Sequence, residues 1–71
     1  MELDLIFDFI IDNNIATAEE VNLITCINGY NKKTLNSIIF VRTGYHDTKQ
    51  LITCEPENYL IHKDLLNIIF N

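Results

Sequence analysis

Apolar residues recur along this chain at helical spacing, in blocks separated by short polar breaks at Asn13-Asn14, Asn28-Gly29-Tyr30-Asn31 and Gly44. In the first block, Glu2 to Asn13, the aspartates Asp4, Asp8 and Asp12 stand four residues apart and so share one stripe of a helix. Leu3, Leu5, Ile6, Phe7, Phe9, Ile10 and Ile11 fill the remainder. At helical pitch they spread over roughly 240° of circumference, where an ordinary surface helix carries a stripe of about 100°. The pattern predicts a first helix whose apolar belt is wider than one small core covers.

Thr17-Ala18-Glu19-Glu20 reads as a capping box that opens a second helix, with Val21, Ile24 and Ile27 on its apolar side and Leu23 and Cys26 beside them. Gly29 is placed to end it in a left-handed cap. Asn31 is a cap for a third helix, Lys32 to about Thr43, in which Leu35, Ile38, Ile39 and Arg42 follow the i, i+3, i+4, i+7 rule before Gly44. Beyond Gly44 the pattern permits two readings. In the favoured one, Asp47 caps a short helix through Cys54, and Pro56 lies in the first turn of a last helix running to Phe70. In the other, Leu51 to Cys54 and Tyr59 to His62 are β-prone runs around Glu55-Pro56-Glu57-Asn58, forming a hairpin at about 51–62. The expected fold is all-α, a small helical bundle with a helix-turn-helix-like core; the alternative is a winged helix. Residues 1–71 form one small domain, since 71 residues leave no room for a second.

Charge sharpens this picture. The net charge is −5, and it is unevenly spread: Glu2, Asp4, Asp8, Asp12, Glu19 and Glu20 precede any base, whereas Lys32, Lys33, Arg42 and Lys49 cluster around the third helix. A net acidic domain starts at a disadvantage on phosphates, which makes nucleic acid the less favoured partner. The apolar share of 48% suffices for a core and exceeds what one small core hides, which points to a protein partner or a second copy. A homodimer sharing the first helix and the Leu65-Leu66-Ile68-Ile69-Phe70 run is the expected assembly. No run reaches the about 18 uncharged apolar residues that a membrane span needs, and the first block has neither a basic leader nor a cleavage site. With two cysteines and no disulfide framework, the expected setting is a reducing cytoplasm.

Chemistry is thin. Cys26, Cys54, His46 and His62 lack the close paired spacing of zinc sites, so buried thiols and ordinary histidines are expected in place of a metal centre. No nucleophile sits in a motif and no glycine-rich phosphate loop is present, so neither an enzyme nor a cofactor is expected. The interaction candidates are clearer. The carboxylates of Asp4, Asp8 and Asp12 would steer the chain toward a basic surface, with Phe7, Phe9 or Phe40 as anchors. In the competing DNA-binding reading, Lys32, Lys33, Asn36 and Ser37 of the third helix would meet phosphates and base edges in the major groove.

The segment Ile27-Asn28-Gly29-Tyr30-Asn31, with Thr34-Leu35-Asn36, Ile38-Ile39 and Arg42-Thr43-Gly44-Tyr45, resembles a group of small uncharacterised proteins encoded by phages and prophages of low-GC Gram-positive bacteria. The likeness covers about residues 6 to 50 and brings no site to carry over. It implies a setting in which small acidic proteins regulate phage genes or inhibit a host defence complex such as a CRISPR effector. The leading expectation is a non-catalytic, protein-binding inhibitor of a host protein or ribonucleoprotein complex that handles nucleic acid. The alternative is a dimeric helix-turn-helix transcriptional regulator.

Overall fold

In the computed structural model, which describes residues 2–70, the chain forms five helices: α1 (Glu2–Asp12), α2 (Ala18–Asn28), α3 (Lys32–Thr43), α4 (Thr48–Cys54) and α5 (Lys63–Phe70). No strand occurs among the described residues, so the wing is absent there and the all-helical reading holds.

The helix boundaries follow from local hydrogen bonding. Asn14 takes a left-handed conformation (φ 56°) after α1, and the amides of Asn14 and Ile15 donate to the carbonyls of Ile11 and Ile10. This is a Schellman closure, sealed by the buried Ile10 and Ile15 side chains. Thr17 and Glu20 form the expected capping box at the start of α2. Asn31 accepts from the Thr34 amide to cap α3, and Asp47 accepts from the Gln50 amide to cap α4. Gly44 ends α3 in the left-handed region. Gly29 departs from expectation: its φ is positive (97°), but ψ is 147°, a region that is essentially glycine's alone.

The last helix also departs from expectation, since it begins at Lys63 and not near Pro56. The reason lies in Asn13. Its side-chain amide donates to the Leu60 carbonyl (2.9 Å) and accepts from the Leu60 amide (2.6 Å). Leu60 is thereby held by the end of α1 with both backbone groups engaged, so its amide is not available to a helix. Upstream, the Asn58 side chain donates to Glu55 (2.8 Å), closing the turn that contains Pro56.

All five helices feed one core. Ile6 and Ile10 from α1, Val21 from α2, Leu35 and Ile39 from α3, Leu51 from α4 and Leu65 from α5 are fully buried. Helix α3 packs against α1, α2 and α4, while α5 packs against α1 and α4. Helix α1 is thus flanked by α3 and α5, and Leu3, Leu5, Phe7 and Ile11 are half-buried against the core. The belt of α1, expected to exceed what one core covers, is largely covered within the chain. The exposed large apolar side chains lie elsewhere, with Leu23, Ile27, Phe40 and Val41 prominent among them. Among the described residues no helix is long and apolar enough to cross a membrane.

Candidate interaction surface

Helices α2 and α3, joined by the three residues Gly29 to Asn31, carry four exposed large apolar side chains, Leu23, Ile27, Phe40 and Val41. Only Val21 of α2 is buried. The positions that continue its face, Thr25 and Asn28, are polar and not buried, whereas Leu23 and Ile27 stand one turn apart on the outer side, 64% and 74% exposed. On α3, burial of Thr34, Leu35, Ile38 and Ile39 turns Phe40 and Val41 outward, with Val41 78% exposed. Between the two helices runs a crevice of about 190 Å³ lined by Ile24, Ile38 and Val41, with Ser37 and Arg42 at its margin.

Alongside this crevice, α3 forms an open depression of about 650 Å³ lined by Lys32, Lys33, Asn36, Ser37, Phe40, Val41 and His46. All four residues of the DNA-binding reading meet there, together with Phe40 from the protein-binding set. The Phe40 ring stacks on His46 at 5.0 Å with only 8° between planes, and stays 48% exposed on the outer surface of α3.

The electrostatics of this face are muted. The Lys32 ammonium pairs with Glu2 at 2.8 Å, and Arg42 pairs with Glu20, tying the end of α3 to the start of α2. Among the described residues Lys33 has no carboxylate within ion-pair distance. The Ser37 hydroxyl donates to the Lys33 carbonyl (2.9 Å) and so is turned onto its own helix. Asn36 is half-buried, and its Oδ1 is enclosed without a hydrogen-bond partner. Glu20 is held below the ordinary carboxylate value by the Thr17 amide, then the Thr17 hydroxyl, then Arg42.

The remaining candidates are dispersed. Asp4, Asp8 and Asp12 are all exposed along α1. Asp4 accepts from the Tyr30 hydroxyl (2.8 Å), and Phe7 meets the Tyr30 ring edge to face at 6.4 Å. Partial burial, then the carboxylate of Asp4 and the charge of Asp8, push the Tyr30 hydroxyl up to about 12. Phe7 is half-buried. Phe9 is only 3% exposed, with its ring 5.9 Å from Tyr59, so it is a core residue and not an available anchor. The thiols of Cys26 and Cys54, expected to be buried, are exposed. Among the described residues no three histidine, cysteine, aspartate or glutamate side chains converge as a metal-binding group.

Sequence reasoning passed over Leu23, Ile27 and Val41 as surface residues because it assigned the apolar positions of α2 to the core. The signal lay in Thr25 and Asn28. Polar residues at the positions that continue the Val21 and Ile24 face leave Leu23 and Ile27 facing outward. No family model, no curated protein and no solved structure matches the chain.

Proposed function

We propose that this protein is a non-catalytic binding module that docks on another protein through the α2–α3 face and thereby inhibits a host complex handling nucleic acid, as a phage-borne defence inhibitor does. The observation that carries the reading is the grouping of Leu23, Ile27, Phe40 and Val41, uncovered on adjacent helices with a crevice between them. Apolar side chains grouped on a surface gain free energy when a complementary protein covers them, at about 25 cal/mol per Å² before the costs of association. Phosphate backbones offer no such cover. The face itself carries Lys32, Lys33 and Arg42, two of them paired, so the net charge of −5 acts from the rest of the chain, as long-range steering toward a basic partner such as a protein that holds nucleic acid.

The test is relief of defence in a bacterial host with an active nucleic-acid-targeting immune system. Expression of the wild-type chain is expected to restore plaque formation by a targeted phage, and the Ile27→Asp/Val41→Asp variant, expressed to the same level, is expected to lose that effect. No relief by the wild type in any such host sinks the inhibitor reading.

A second reading, a helix-turn-helix regulator, is favoured by one observation: Lys32, Lys33, Asn36 and Ser37 share one depression on α3. Pairing of Lys32 with Glu2 and of Arg42 with Glu20 works against it, since each ion pair must break before that cation neutralises a phosphate. Gel shifts at low salt separate the two. Salt-sensitive binding to promoter DNA that is lost in Lys33→Ala would establish the regulator.

A further inference from the structure

We infer that the groove between α1 and α5 is a second docking site, shaped for an arginine- or lysine-bearing amphipathic helix of a protein partner. It rests on the reading of the chain as a protein binder and adds a surface distinct from α2–α3. The groove measures about 540 Å³ and is lined by Asp4 and Leu5 on one wall and Asp64, Asn67 and Ile68 on the other. Its apolar part is Leu5, half-buried, and Ile68, 39% exposed. Its charge is of one sign on both walls.

These features together select the occupant. No lysine or arginine of the chain lies within ion-pair distance of Asp4, Asp8 or Asp64 among the described residues, so these carboxylates are uncommitted to internal ion pairs. The Tyr30 hydroxyl donates to Asp4 and holds that side chain in place. The carboxylates do not converge as a metal-binding group. Nucleic acid and anionic lipid are repelled by the same charges. A basic side chain satisfies both halves of the site, with its methylene stem on Leu5 and Ile68 and its head at a carboxylate.

Asp8 lies outside the groove lining, one helical step of about 6 Å beyond Asp4 along α1, so an apposed helix leaving the groove along α1 meets a second exposed carboxylate. Bases four residues apart on an apposed helix repeat at that same interval. No two of the chain's own bases, Lys32, Lys33, Arg42, Lys49 and Lys63, stand four residues apart, which points to a different protein and not to a second copy.

The proposal is tested on the full-length chain by nuclear magnetic resonance titration with a synthetic amphipathic helical peptide carrying arginines four residues apart and leucines between them. Two control peptides replace the arginines by glutamine or the leucines by serine. The expected result is salt-sensitive binding with perturbed amides confined to α1 and α5, weakened roughly ten-fold or more by either control and by Asp4→Asn/Asp64→Asn. The single Asp64→Asn change, at an exposed position away from Tyr30, is expected to give a smaller loss in the same direction. Binding that is indifferent to the leucines, or spread over every carboxylate of the surface, overturns the proposal, as does unchanged affinity in both variants. Ile27→Asp/Val41→Asp is expected to bind the peptide as the wild type does. Failure of this groove is therefore distinguishable from failure of the α2–α3 face.

Discussion

Tyr30 joins the two halves of the charge distribution: its ring packs edge-on against Phe7 and its hydroxyl is given to Asp4. Because the folded state holds this phenol up to about 12 against an ordinary 10.0, the protonated form is the stabilised one. Its contribution is fully present below pH 10 and disappears as the pH rises from 10 to 12. Tyr45, pushed up to about 12 beside the Glu55 carboxylate, titrates in the same window. The denaturation midpoint is therefore expected to fall across that window in the wild type, and to fall less in Tyr30→Phe, as followed by circular dichroism. An equal fall in both proteins removes the role assigned to Tyr30. The two glycines also separate at this scale. A Cβ on Gly29 meets the Asn31 side chain at 3.0 Å on a backbone with φ 97° and ψ 147°, whereas one on Gly44 meets nothing within 4 Å. Gly29→Ala is expected to cost about 1–3 kcal/mol of unfolding free energy, and Gly44→Ala less. A reversed order in urea titrations contradicts this account of the turn.

Helix boundaries were legible wherever a side chain caps its own helix. Thr17, Asn31 and Asp47 act within three or four residues of themselves, so a linear reading finds them. The capping box carries a pH signature, since Glu20 is held below its ordinary value of 4.5. What it adds is present above that value and lost as the pH falls below it. The start of α5 was not legible, because it depends on Asn13 and Leu60, 47 residues apart in sequence. Nothing local to Pro56 announces a clamp made by the end of α1. Replacing Asn13 by Ala is expected to cost about 1–2 kcal/mol, for the bonds to Leu60 and the one its amide gives to the Phe9 carbonyl. It is also expected to speed proteolysis between Glu55 and His62. Unchanged cleavage there would mean that the connector is held by packing of Tyr59 and Ile61 and not by the clamp.

At the scale of the whole molecule, the sequence showed that apolar residues are in surplus but misplaced the surplus. Periodicity counts how much of a helix is apolar; it does not count how many neighbours that helix has. Helix α1 has α3 and α5 on its flanks, so its wide belt finds cover, whereas α2 packs chiefly on α3 and leaves Leu23 and Ile27 bare. The candidate site was legible in part for the same reason. Phe40 and the α3 polar set lie on the surface as read, Phe9 does not, and Leu23, Ile27 and Val41 come forward only once the neighbours are known. A dimer, if it forms, is expected to use the α2–α3 face in place of the α1 belt. Light scattering would then show association that Ile27→Asp abolishes. Whether another protein covers this face is decided by quantitative mass spectrometry of what a tagged chain retains from the bacterial host. Wild type and Ile27→Asp/Val41→Asp, matched for helical content, are compared. A protein or ribonucleoprotein strongly enriched by the wild type and lost with the variant is expected; identical profiles from the two would mean that no partner is held by this face.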